Sequence, residues 1–355
     1  MKFALTQLDL NKVNHLLEVK NINIAIAEML QYFFFISEKS EPVHSKEEYL
    51  DNLLETCEID ISNPEDFETV EKQIAPYLKQ LDESIIINDP YTRCLKIPES
   101  KFGEYAFVKQ TYQPYQAFAY DDFLVDQEDY REVQKIGYFT KPVEYIALTQ
   151  NDEVWMSVIP NEIYTHQTPI QNARGHVVTF GLGMGYFVFN AVAKKEVESL
   201  TVVEKDLKII ELFQRLILPQ IPQKDKINIV CEDAYSFIKR RHNFDYAYVD
   251  LWHNPNDGLP FYISFKNAEE NFPECRFDYW LETSILSLYR RCLLTVIEEQ
   301  LNGISADAYL KAKIGEDKVV NELYFKTKDL SIKSYQQLHD LLLDESLKKL
   351  INKKK

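Results

Sequence analysis

Glycine is scarce in this chain: nine of 355 residues, about 2.5% where ~7% is usual. Cysteine is scarce too, with five residues, Cys57, Cys94, Cys231, Cys275 and Cys292, odd in number and widely scattered. No CxxC pair is present, which excludes the common zinc and dithiol motifs, and no metal site is expected. Reduced thiols are the simple reading, and with them a cytoplasmic location. Positive charge is short as well: 40 Lys and Arg stand against 56 Asp and Glu, a net charge of -16. A surface this acidic repels phosphate backbones and anionic lipid heads, so nucleic acid is an unlikely partner and no membrane association is expected. No apolar run reaches the ~18 residues a bilayer span needs. The first residues do not read as a secretory signal, because Asp9 interrupts before an apolar stretch forms.

The hydrophobic fraction of 45% is ordinary for a globular chain. Residues 1–82 read as a helical region. Apolar side chains from Val13 to Phe33 recur at mixed three- and four-residue spacing, with Ile24 and Met29 among them. Ser45 with Glu48 resembles a capping box that opens a second helix running to Cys57. Asn63-Pro64 opens a third, which Pro76 should end or kink. Residues 83–170 change texture into a β-rich connector. Its β-prone runs begin at Ser84, Tyr105, Glu144 and Glu153, and the tract Gln150-Asn151-Asp152 makes the last two a hairpin.

Strand and helix then alternate. Short apolar runs begin at His176, Leu200, Ile227 and Phe244, and helical stretches separate them at about 186–194, 207–218 and 234–241. Alternation of this kind means βαβ units and a parallel sheet, so residues 171–302 read as an α/β, Rossmann-like domain. An irregular loop is expected over 251–260 and a long amphipathic helix over 278–301. Residues 303–355 read as a helical extension ending in a lysine-rich tail.

Three of the nine glycines fall within five positions, Gly181-Leu182-Gly183-Met184-Gly185, between a strand and a helix. A turn there needs backbone that approaches a ligand closely. A dinucleotide-type site wants an acidic residue ~20 positions on, for ribose hydroxyls. Glu204 stands there, at the tip of the second strand. Asp233, followed by Ala234, ends the third strand where an adenine would lie, and Asp250 ends the fourth at the same edge. Tyr186 replaces the third glycine of the NAD fingerprint, which turns the reading from NAD toward S-adenosylmethionine.

The stretches VVTFGLGMG, LTVVEKD, INIVCEDAYSFI and FDYAYVDLWHNP together resemble the class I S-adenosylmethionine-dependent methyltransferase superfamily, and within it the spermidine synthase (aminopropyltransferase) branch. The segment EIYTHQTPI ahead of the first strand is similar in layout to that branch. The resemblance implies a methyltransferase-type domain with S-adenosylmethionine as cofactor. It also implies that Gly181, Gly183 and Gly185 form the cofactor turn, that Glu204 binds the ribose, that Asp233 and Ala234 flank the adenine, and that Asp250 stands at the catalytic aspartate. The branch has a second aspartate three residues later, followed by proline. Here His253 and Asn254 occupy those places, which weakens the case for aminopropyl transfer, because a polyamine needs carboxylates around its ammonium groups.

The expected function is therefore S-adenosylmethionine-dependent group transfer, methyl first, with Asp250 and His253 as catalytic candidates. A small-molecule or protein acceptor is the expected partner, and a homodimer is compatible with the reading. Aminopropyl transfer and a non-catalytic nucleotide-sensing or scaffold role are the alternatives. Trp252, Phe261 and Tyr262 are candidates for an acceptor wall. His166 either approaches the site from below or is a satisfied polar residue, and the second is the simpler reading.

Overall fold

The computed structural model describes residues 1–39, 45–56, 59–240, 243–304 and 315–352. Cys57, Arg241 and the end of the lysine-rich tail, 353–355, lie outside the described residues.

The chain opens with a long helix α1, Gln7–Lys39. Thr6 and Asp9 cap it reciprocally: the Thr6 amide donates to Asp9 Oδ2 at 3.1 Å and the Asp9 amide to Thr6 Oγ1 at 3.2 Å. Val13, Leu16 and Leu17 are buried in the main core and Phe33 in a second, smaller cluster, whereas Ile24 is exposed. The helix begun at Pro64 narrows into a single turn around Pro76 and gives way to a short strand, Leu78–Gln80.

A four-stranded antiparallel sheet follows, formed by β1 (Ser100–Phe102), β2 (Tyr105–Tyr112), β3 (Val143–Gln150) and β4 (Glu153–Ser157) in spatial order 4-3-2-1. Asn151 and Asp152 link β3 to β4, at φ 54° and 68°. Both central residues are left-handed, which suits a tight hairpin turn that follows the twist of its strands. The β-prone run at Ser84 is instead a short helix, Ser84–Ile87. The Asp82 carboxylate accepts the Ser84 amide at 2.8 Å, so a local Asx turn overrides the strand propensity of three isoleucines.

The α/β domain is a five-stranded parallel sheet of β5 (Gly175–Phe180), β6 (Val197–Glu204), β7 (Ile227–Cys231), β8 (Tyr246–Val249) and β9 (Arg276–Tyr279). The spatial order is 7-6-5-8-9. Val177, Val178, Phe180, Leu200, Val202, Val203 and all four residues of β8 are buried, as a sheet covered on both faces requires. Strand order reverses between β5 and β8, and open α/β sheets bind ligands at the carboxyl ends beside such a reversal. Ahead of β5 lies α2 (Pro160–Thr165). The crossovers carry α3 (Tyr186–Val192), α4 (Leu207–Leu212) and α5 (Ala234–Ile238).

Beyond β8 the structure departs from the sequence expectation twice. The expected loop over 251–260 is mostly helix α6, Pro255–Glu269, with Asn254 and Asp257 forming a capping box. The expected helix start at Asp278 is strand β9, and α7 runs Glu282–Leu301 after Leu281 turns through a left-handed conformation. Among the described residues no helix is long and apolar enough to cross a membrane.

Candidate functional site

The carboxyl ends of β5, β6, β7 and β8 open onto one cavity of about 350 Å³. Strand β4 roofs it with Trp155, Met156 and Ser157, and α2 contributes Glu162. The hairpin sheet is tied to the domain beneath: Tyr105 donates to Asp206 Oδ2 at 2.6 Å, and Lys208 Nζ meets Glu104 at 2.7 Å.

Gly181, Gly183, Glu204, Asp233, Ala234, Asp250 and His253 all line this cavity; Gly185 does not. Gly181 sits at φ 97°, and a Cβ there would lie 1.9 Å from the Asp250 carbonyl oxygen, so its lack of a side chain lets β5 and β8 end side by side. At Gly183, φ 53°, a Cβ would come within 2.9 Å of Met156 Sδ, in the slot between turn and roof. Gly185 has a packing reason: its Cβ would strike the Phe213 ring at 2.4 Å, and it faces that ring rather than the cavity.

Glu204 is the last residue of β6. Its Oε2 accepts the Leu182 amide at 3.1 Å and its Oε1 the Asp206 amide at 2.8 Å. A carboxylate has about four lone-pair positions, so this one pins the glycine turn and keeps acceptor capacity toward the cavity. Asp233 caps α5 by accepting the Ser236 amide at 2.8 Å, which holds Ala234 against the cavity at the tip of β7. Of the candidate aromatic wall, Trp252 and Phe261 line the cavity, whereas Tyr262 is buried and donates to Glu282 at 2.6 Å.

Asp250 follows β8 directly, and its Oδ2 lies 3.3 Å from His166 Nε2. His166 is only 2% exposed. Its Nδ1 is 2.8 Å from the Glu162 carbonyl oxygen and 3.4 Å from the Glu162 carboxylate. Burial alone would depress the imidazole, but the hydrogen bond to Asp250 and the charge of Glu162 outweigh it, so His166 is raised above its ordinary value. Burial pushes the Glu162 carboxyl up, with His166 opposing and Asp250 adding. The Glu162–His166–Asp250 grouping was not legible as a unit. The signal was the four-residue spacing of Glu162 and His166, which puts both on one helix face. Among the described residues no three His, Cys, Asp or Glu side chains converge as a metal would need.

His253 is held differently. Trp155 Nε1 donates to its Nε2, and its Nδ1 lies 3.1 Å from Asp257 Oδ2. An indole N–H can only donate, so Nε2 is bare in this contact and Nδ1 carries the hydrogen. The pair bridges roof and floor at the cavity edge, and His253 can serve as a base only after Trp155 lets go.

No family model and no curated protein matches the chain. Solved structures show a distant likeness, two spermidine synthases among them. One is a spermidine synthase from Thermotoga maritima, 16% identical, with 42% of this chain and 59% of that one covered and a TM-score of 0.32. The other is a spermidine synthase in complex with the transition state analogue AdoDATO, 15% identical, with 48% and 68% covered and a TM-score of 0.31. The chain thus spans about three fifths of the first structure's length. At this level of likeness neither structure speaks to what this chain acts on.

Proposed function

We propose that the cavity binds S-adenosylmethionine or a close relative and that the chain transfers a group from its sulfonium, methyl transfer to a small molecule or protein being the first reading. The observation that carries this is the meeting, at one carboxyl edge, of a glycine turn, a carboxylate with spare acceptor positions at the tip of β6, and a capped acidic turn at the tip of β7. The volume lies within the ~300–1,000 Å³ usual for ligand sites. The lining charge also fits a cation: Glu162, Glu204, Glu232, Asp233 and Asp250 face the cavity against a single lysine, Lys205.

When bound, the cofactor supplies an electrophilic carbon on sulfur. The chain's own residues supply the rest. Glu204 accepts ribose hydroxyls, Ala234 and Asp233 flank the base, and the backbone of Gly183 and Met184 faces the remainder. Asp250 stands where a reacting acceptor would need a carboxylate, and Trp252 and Phe261 give that acceptor an apolar wall.

Aminopropyl transfer from decarboxylated S-adenosylmethionine is the second reading, and one observation favours it: two carboxylates, Glu162 and Asp250, share the cavity wall with His166, and such a pair suits an ammonium group. Calorimetry with four ligands separates the readings. Preference for S-adenosylmethionine and S-adenosylhomocysteine supports methyl transfer. Preference for the decarboxylated form and methylthioadenosine supports aminopropyl transfer. Binding of none refutes both and promotes a scaffold role.

A further inference from the structure

We propose that Glu162, His166 and Asp250 form one proton-holding unit in the cavity wall, in which His166 is the positioning residue that lets Asp250 take a proton from the acceptor. The inference rests on the group-transfer reading for its use, but its core is a property of the free protein.

The argument starts at Nδ1 of His166. Its nearest partner is the Glu162 backbone carbonyl at 2.8 Å. A carbonyl oxygen only accepts, so Nδ1 carries a hydrogen in every charge state of the ring. In the neutral ring Nε2 is then bare, and it faces Asp250 Oδ2 at 3.3 Å. Two lone pairs facing each other repel, and the contact becomes attractive only with one proton between them. His166 and Asp250 therefore hold that proton jointly, on nitrogen or on oxygen.

The surroundings favour the charged ring. The groups facing it are Glu162 from its own helix, Asp250 from the end of β8, Tyr248 within β8, and Tyr186 from α3 with Asp89 behind it. None of these is a cation. The two tyrosine rings stand edge-on at 5.4 and 5.5 Å and keep water from the imidazole.

A lone aspartate is a weak base, with an ordinary pKa of ~3.9. Asp250 need not keep the proton it takes, because His166 Nε2 lies 3.3 Å away and can receive it, so the base is the pair rather than the lone carboxylate. In the transfer, Asp250 accepts the proton as the acceptor's N–H or O–H bond breaks. The freed electron pair forms the new bond to carbon, and the C–S pair returns to sulfur as a neutral thioether. Binding of the cationic donor expels the shared proton, and the emptied His166–Asp250 pair then goes from one negative charge to none as the sulfonium loses its positive charge, so charge balances within the cavity.

Nitrogen NMR of histidine-labelled full-length protein tests the core, with His166→Gln identifying the His166 signals. Nδ1 should read as protonated across the whole pH range, and Nε2 should titrate above the ordinary histidine value of ~6.5. Asp250→Asn should lower that titration by about one pH unit or more. A ring that carries its hydrogen on Nε2, that titrates at or below the ordinary value, or that ignores Asp250→Asn overturns the proposal. A second arm links the unit to the ligand through calorimetry in buffers of different ionisation enthalpy. S-adenosylmethionine, a cation, should expel protons that neutral S-adenosylhomocysteine does not, and His166→Gln should abolish the difference. Binding with equal proton release, or a difference that survives His166→Gln, overturns the unit. Failure of both ligands to bind refutes the nucleoside reading instead, while the NMR result still decides the proposal.

Discussion

Replacing Glu204 with alanine is the sharpest test of the cofactor assignment, because the structure gives this side chain two separable tasks. In the free protein it accepts the Leu182 amide at 3.1 Å and the Asp206 amide at 2.8 Å. Losing those contacts leaves two amides at a half-buried, water-accessible edge, where a lost hydrogen bond costs about 1 kcal/mol. Toward a ligand the same carboxylate would accept ribose hydroxyls. Hydrogen bonds to a charged acceptor contribute ~1.5–3 kcal/mol, and at ~1.4 kcal/mol per decade Glu204→Ala should weaken S-adenosylhomocysteine roughly 10- to 100-fold.

Two losses of similar origin could be confused, so the assay needs a ligand that lacks the ribose. Calorimetry of adenine alone should give nearly the same affinity for wild type and Glu204→Ala, because adenine meets Asp233 and Ala234 and not Glu204. A loss shared equally by adenine and S-adenosylhomocysteine would mean that the glycine turn has collapsed. An unchanged affinity for S-adenosylhomocysteine would mean that the ribose is held elsewhere, and the assignment of Glu204 would fail.

Gly183→Val should abolish S-adenosylhomocysteine binding while the protein stays folded, because the new side chain fills the slot under Met156; a thermal shift with that ligand that survives the change would sink the turn assignment. Stability should also depend on His166 in a definite direction. Its folded value is raised, so its contribution is full below the unfolded value near 6.5 and is lost as pH rises through the folded one. Wild type should therefore lose melting temperature relative to His166→Gln as pH rises above the ordinary histidine value of ~6.5, and a flat difference would refute the sign. On the methyl-transfer reading, no spermidine should form from putrescine and decarboxylated S-adenosylmethionine, and His253→Asp should not confer that activity. Mass spectrometry showing spermidine well above a no-enzyme control would reverse the order of the two readings.

The first four strands of the parallel sheet, β5 to β8, were legible because each is a short apolar run, and the turn was legible because glycine is so rare elsewhere. Strand β9 was not. It reads Arg276-Phe277-Asp278-Tyr279, an alternation with two charges that suits a helix start equally well. Those charges are satisfied locally: Arg276 pairs with Asp278 at 3.3 Å, and Asp278 accepts the Tyr246 hydroxyl at 2.7 Å. Helix α6 was hidden because its first turns carry Gly258 and Pro260, the two residue types with the poorest helix propensity. Gly258 is small for a tertiary reason, since a Cβ there would meet the Trp252 ring at 2.7 Å. His166 shows the same limit at the site. Its spacing from Glu162 is in the sequence, but the approach of Asp250 across 84 positions is not.

The glycine turn is held from behind by residues that lie far outside the α/β domain. Tyr91 donates its hydroxyl to the Met184 carbonyl at 2.5 Å, and Tyr186 donates to Asp89 Oδ2 at 2.9 Å. Asp89 in turn accepts the Tyr91 amide at 2.9 Å, which caps the short helix Pro90–Cys94. Glu204 completes the support from the cavity side through Leu182. A five-residue turn with three left-handed glycines would otherwise be among the most mobile pieces of backbone in the chain. Here its far end is fixed by two tyrosine hydroxyls and its start by a carboxylate, so little ordering entropy remains to oppose ligand entry. The segment ahead of the hairpin sheet is thus part of the site's scaffold, and the binding turn cannot be understood from the Rossmann-like strands and helices alone.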